Sequence, residues 1–147
     1  MKNKDYLFVI TQLVLFLIFF IPLTENISDL PLLKIAGYIL FFAGGIIGVL
    51  ALLRLAESLT IFPTPKTDAT LKTDGLYKYM RHPIYTAVIL VFLGLSGIFT
   101  NVYKLIIALI MIIFFYYKSS YEETKLIEHY PDYEAYRKQT GRFLPFL

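Results

Sequence analysis

Long apolar runs alternate with short polar ones along this chain. Four runs are long enough to span, or nearly span, a bilayer: Tyr6–Leu23, Leu32–Leu59, Pro83 to about Phe99, and about Val102 to Tyr117. In lipid, backbone N–H and C=O groups must be satisfied within the segment, so all four are predicted helices. The last two hold about 17 residues each, roughly 25 Å of helix, and only Thr100–Asn101 lies between them. They read as a hairpin that falls just short of a full crossing.

Two polar segments break the pattern. The loop Thr60–His82 carries Pro63, Pro65 and Gly75 and runs into Pro83, so turns order it. The tail Lys118–Leu147 places Leu126, Ile127, Tyr130, Tyr133 and Tyr136 at roughly helical spacing, interrupted by Pro131 and ended by Gly141 and Pro145. The predicted class is an all-α integral membrane protein with about four transmembrane helices and a C-terminal cytoplasmic amphipathic helix. It forms one domain over residues 1–147, with an extra N-terminal span in 1–31.

Basic residues orient the spans. Lys2 and Lys4 precede the first. The loop Thr24–Pro31 has none, and Lys34 lies just past it. Lys66, Lys72, Lys78 and Arg81 fill the next loop, and Lys104 stands alone near the hairpin turn. Lys118, Lys125, Arg137, Lys138 and Arg142 occupy the tail. The alternation puts both termini, the loop and the tail on the cytoplasmic face, of an inner membrane in a bacterial setting. The first run is too long for a signal-peptide core and no A-x-A-like site follows, so it reads as a retained span.

Composition narrows the function classes. With 57% hydrophobic and only 17% charged residues, a soluble domain of this size could not cover its apolar surface. Without cysteine there is no disulfide, thiolate metal site or thiol catalysis. His82 and His129 are too few for a metal cluster. A net charge of +3, spread rather than striped, suits a membrane surface and not nucleic acid.

Two motifs carry candidate chemistry. In Gly75-Leu76-Tyr77-Lys78-Tyr79-Met80-Arg81-His82-Pro83-Ile84-Tyr85, Pro83 suits the first turn of a helix, which sets Arg81 and His82 at a helix N-terminus that favours an anion. The same residues also suit an interfacial anchor. The second motif is Glu122-Glu123. These acids either hold a cationic ligand, pair with Arg81 across a site, or form a solvated face with Glu122 and Lys125 paired at i,i+3. Gly44 and Gly48 read as close helix packing, Arg54 and Glu57 as an ion pair, and His129 as a surface residue.

Together the motifs resemble the isoprenylcysteine carboxyl methyltransferase family and its phospholipid methyltransferase relatives. The matching residues are Gly75, Tyr77, Arg81, His82, Pro83 and Tyr85, then Glu122, Glu123 and Leu126, then Tyr133, Tyr136, Arg142, Phe143 and Pro145. The resemblance covers about residues 40–147. It implies a membrane-embedded S-adenosylmethionine site and transfer of a methyl group to a lipophilic acceptor, an isoprenylcysteine carboxylate or a lipid, with O-methylation favoured over N- or S-. By position it implies cofactor contacts from Tyr77, His82, Pro83, Tyr85, Asn101 and Glu123, and catalytic roles for Arg81, Glu122 and Glu123. No metal is implied. One position departs: four residues before Glu122 the resemblance has Arg, and here Lys118 stands there, keeping the charge without the bidentate fork. Two rival readings follow from the architecture: a sterol-type reductase using NADPH, and a non-catalytic membrane protein of the same fold.

Overall fold

A computed structural model of the chain describes residues 3–23, 30–55, 60–64 and 70–145. Five α-helices follow in order: α1 Asn3–Phe20, α2 Pro31–Leu55, α3 Pro83–Ile98, α4 Val102–His129 and α5 Tyr133–Gln139, with a 3-10 turn at Gly75–Lys78. No named strand occurs among the described residues; one parallel bridge joins Met80 to Gly141. Helices α1, α2 and α4, of 18, 25 and 28 residues, are long and apolar enough to cross a membrane, and α3 is a shorter apolar helix. The predicted all-α membrane class is what the chain adopts.

Two details differ from expectation. The fourth span does not end near Tyr117 with a separate amphipathic helix after it. Helix α4 runs unbroken to His129, about 42 Å, so membrane span and amphipathic segment are one rod. Nothing between Val102 and Tyr130 breaks a helix. The first breaker is Pro131, and the last turn closes with the Tyr130 N–H donating to the Leu126 carbonyl at 2.8 Å. The Arg54–Glu57 pair falls partly outside the described residues, since Glu57 lies there; Arg54 instead bonds Asp74 through Nε at 2.8 Å.

Helices α2 and α3 pack through glycine. A Cβ on Gly94 would lie 2.5 Å from the Phe41 nitrogen, one on Gly37 would lie 2.6 Å from the Ile98 nitrogen, and one on Gly44 would lie 2.8 Å from the Ala87 carbonyl oxygen. Small residues let backbones touch in this way where no hydrophobic effect drives helices together. The expected role of Gly44 thus holds, and Gly37 and Gly94 extend the seam.

Helix α1 packs on α4. Tyr103 Oη donates to the Ile18 carbonyl at 2.7 Å and Lys104 Nζ to the Phe19 carbonyl at 2.8 Å. These donors reach carbonyls of the last turn of α1, where the Ile18 carbonyl also accepts from the Ile21 N–H at 3.0 Å. Phe19, Phe92, Met111 and Phe115 form the buried centre among α1, α3 and α4. At the other end of α1, Thr64 Oγ1 donates to Asp5 Oδ2 at 2.7 Å and the ring of Tyr6 meets Phe62 edge-on at 5.5 Å. The segment after α2 is thereby fastened to the first helix.

Candidate active site

The segment before α3 is shaped by its sequence. Gly75 takes φ +58°, a backbone region glycine enters without a Cβ penalty, and opens the 3-10 turn. Pro83 then occupies the first turn of α3 with His82 as its N-cap residue. The tail lies alongside: the Arg81 N–H donates to the Gly141 carbonyl at 2.9 Å and the His82 N–H to the Arg142 carbonyl at 3.0 Å. Thr86 Oγ1 donates to the Phe143 carbonyl at 2.8 Å. The start of α3 and the end of the described chain are one unit.

Glu122 and Glu123, forty residues downstream in sequence, meet this unit with different faces. Successive helical residues point about 100° apart, so two neighbours cannot share one direction. Glu123 is 2% exposed and is the hub of a charge cluster. Its Oε1 accepts from Arg81 Nε at 2.9 Å and lies 3.1 Å from His82 Nε2; its Oε2 accepts from Arg142 Nη2 at 3.1 Å, with Arg137 Nε at 3.8 Å. A buried carboxylate is tolerable on such terms, and removing its partners would leave an uncompensated charge. Arg81 also donates to the carbonyls of Arg137, at 3.0 Å, and Thr140, so it clamps the tail end of α5.

Glu122 turns to a cavity. Its side chain is 24% exposed, its Oε2 accepts from Tyr85 Oη at 2.6 Å, and His82 Nδ1 lies 3.8 Å away. The His82 and Tyr85 rings stack in parallel, 3° apart in plane with centroids at 5.3 Å, and Tyr85 stacks on Phe115 at 4.9 Å. The cavity measures about 290 Å³ and is lined by Tyr77, Arg81, His82, Pro83, Tyr85 and Glu122 together with apolar side chains of α2, α3 and α4. Tyr133 and Tyr136 of α5 close one side. Burial pushes the phenols of Tyr77 and Tyr133 well above their usual range, and that of Tyr136 up to about 12, so all three are neutral donors at physiological pH. Tyr136 Oη donates to the Tyr77 carbonyl at 2.6 Å. The hydroxyls of Tyr77 and Tyr133 are buried with no hydrogen-bond partner among the described residues.

Of the predicted site residues, Tyr77, Arg81, His82, Pro83, Tyr85 and Glu122 therefore share one cavity, and Glu123 stands directly behind it. Asn101 does not join them. It caps α4 at the opposite end, accepting from the Lys104 N–H at 3.0 Å, and lines a separate apolar cavity. The expected Glu122–Lys125 pair is not what forms at Glu122: Lys125 pairs with Glu128 at 2.7 Å. Three further participants were given no site role by the sequence, although Arg142 is among the positions that carry the resemblance. Arg142 and Arg137 share Glu123, and Gln12 of α1 lines the cavity. An amide side chain midway along an apolar helix was the available signal for Gln12.

The chain is similar to known proteins in sequence and in fold. The model of the phospholipid methyltransferase family matches residues 32–133. The chain is 35% identical over 82 residues to the protein-S-isoprenylcysteine O-methyltransferase of Schizosaccharomyces pombe, a match covering 54% of this chain and 35% of that protein. It is also 35% identical over 82 residues to the methanethiol S-methyltransferase of Crocosphaera subtropica, covering 55% of this chain and 31% of that protein. The matched stretch thus spans about a third of the length of these curated relatives. Among solved structures, the eukaryotic intramembrane Ras methyltransferase ICMT (isoprenylcysteine carboxyl methyltransferase) superposes with a TM-score of 0.71 at 22% identity, covering 99% of this chain and 55% of that one. That likeness shows a shared fold. This chain is an integral membrane protein and belongs to the phospholipid methyltransferase family.

Proposed function

We propose that the chain is an S-adenosylmethionine-dependent methyltransferase that acts on a lipophilic acceptor, an isoprenylcysteine-type carboxylate or a lipid, at the cytoplasmic face of its membrane. The observation that carries this reading is the convergence of the Arg81–His82–Pro83 helix start and Glu122 on one aromatic cavity. The two relatives named above transfer methyl groups to different acceptors, which supports the reaction class more than any one acceptor.

The residues present suit that cofactor. The orphaned hydroxyls of Tyr77 and Tyr133 have hydrogen bonds to give, and both line the cavity. Glu122 offers its carboxylate to an ammonium group, while His82 and the N-terminus of α3 suit a carboxylate. The stacked faces of His82 and Tyr85 supply a wall for a sulfonium, and a cation over a ring contributes about 0.5–2 kcal/mol. S-Adenosylmethionine supplies a methyl carbon on positively charged sulfur, so the departing group is neutral and needs no general acid. What remains for the protein is alignment of acceptor and methyl, worth about 7–11 kcal/mol when two reactants are held in reacting geometry. Glu123 acts behind the wall, holding Arg81 and His82 in place.

Calorimetry of the purified protein in detergent tests the cofactor. S-Adenosylhomocysteine should bind, NADPH should not, and His82→Ala should abolish binding without loss of helical circular dichroism. Incubation with methyl-labelled S-adenosylmethionine and native membrane extract should label a lipophilic product. Binding of NADPH in place of S-adenosylhomocysteine would reverse the reading in favour of a reductase.

A further inference from the structure

One wall of the cavity has no part in the cofactor reading. Lys118 lies on α4 one turn before Glu122, about 6 Å deeper toward the apolar middle of the bundle. It is 2% exposed, and among the described residues its Nζ makes no ion pair with a carboxylate. Its contacts are neutral. Nζ donates to Gln12 Oε1 of α1 at 2.6 Å and to the Ile61 carbonyl at 3.5 Å, and it sits 5.3 Å from the centroid of the Tyr85 ring. Lys118, Gln12 and Ile61 all line the cavity. Glu122 is the nearest acid along α4, and its Oε2 already accepts from Tyr85.

A buried ammonium compensated only by dipoles is costly, and the cost is relieved by an anion. Among the described residues the Lys118 Nζ meets the neutral acceptors Gln12 and Ile61, and the side chain lines the cavity. Its position is also selective. Glu122 presents negative charge at the polar end of the cavity, and Lys118 presents positive charge at the membrane end. A cationic cofactor group and an anionic acceptor would be drawn to opposite ends with their reacting atoms between. An amine acceptor, charged at neutral pH, would be repelled by Lys118 and would also have to lose a proton before reacting.

We infer that Lys118, held by Gln12 of the first span, is the acceptor subsite, and that it binds an anionic nucleophile, a carboxylate or a thiolate, in preference to an amine. The inference rests on the methyltransferase reading and narrows its acceptor. In the step it implies, a lone pair of the acceptor oxygen or sulfur forms the new bond to the methyl carbon as the carbon–sulfonium bond breaks. The breaking pair stays on sulfur, no proton is released, and an anion and a cation become two neutral molecules. Gln12 is a positioning residue: it touches Lys118 and fixes where the ammonium lies. It belongs to α1, outside the residues 32–133 matched by the family model, so the acceptor end of the cavity is partly furnished by a helix that the match does not include.

Binding without turnover tests this directly. The protein, saturated with S-adenosylhomocysteine, is titrated with two pairs of probes: an S-farnesylthioacetate and an octanoate, each against its neutral carboxamide. For at least one pair the carboxylate should bind tenfold or more tighter than the carboxamide. Lys118→Met should bring that ratio close to one while leaving S-adenosylhomocysteine affinity within twofold. Lys118→Arg should preserve the ratio, and Gln12→Leu should lower it severalfold. A parallel methyl-transfer assay with a farnesylated carboxylate, an alkanethiol and phosphatidylethanolamine should give product from one of the first two. Carboxylates that bind no better than their amides, or faster methylation of the amine, would overturn the inference and leave the cofactor reading standing. Failure of the wild-type chain to bind S-adenosylhomocysteine would overturn both.

Discussion

Helix α3 is held in two different ways along its length. Its later half, through Gly94 and Gly97, is pressed against α2 by contacts with no polar side chain and no room for a Cβ at Gly94. Its beginning, from His82 to Thr86, is held by charge and by backbone hydrogen bonds to the tail. The seam can do no chemistry, but it fixes where the helix points. The polar end carries the groups that can act on a ligand, and it depends on residues distant in sequence. Stability and function are thus separable along a single helix, and substitutions at the two ends should fail differently.

The largest effect is expected at the hub. Glu123→Ala leaves the Arg81 guanidinium, 8% exposed, and the partly buried Arg142 without their carboxylate, and should cost about 3 kcal/mol of stability. Thermal unfolding in detergent should show the loss, and S-adenosylhomocysteine binding should vanish with it. Gly94→Val comes next. It forces α2 and α3 apart and should cost about 1–3 kcal/mol as an overpacked contact. Here the folded fraction should still bind S-adenosylhomocysteine within twofold of wild type; a large loss of affinity would mean that seam and site are coupled. Glu122→Gln should invert that result. Stability should change by less than about 1 kcal/mol, since the amide oxygen still accepts from Tyr85, while affinity falls about tenfold, or 1.4 kcal/mol. The smallest effect belongs to Tyr133→Phe. Deleting a buried hydroxyl without a partner should raise the stability of the unliganded protein by about 1 kcal/mol and weaken S-adenosylhomocysteine binding a few-fold. A destabilised unliganded protein would show that the hydroxyl is already satisfied.

Much of the architecture was legible before any coordinates. Apolar length marks the spans, because a bilayer sets how many residues a helix needs. Pro83 marks the start of α3 because its ring fits only the first turn, and Gly44 marks the close approach of two helices. What could not be read was partnership. Helical phase tells that Glu122 and Glu123 face different ways, but not which of them meets Arg81. That depends on α4 continuing straight past Tyr117, and on the tail returning to place Arg142 within reach. Asn101 was misleading for a related reason: it lies next to the spans that build the site, yet at the end of α3 away from it. Gln12 was silent because one amide in an apolar helix states that a polar partner exists without saying which.

The bridge between Met80 and Gly141 has a bearing on biogenesis. During synthesis the Arg81–His82 segment is made long before the stretch that pairs with it, so its amide groups and the Arg81 guanidinium wait while α3 and α4 insert. The pocket wall can assemble only once the stretch through Arg142 has been made and folds back. A chain that has not yet reached this stretch therefore lacks one wall of the cavity, and a product truncated before Gly141 should be unable to hold a ligand there.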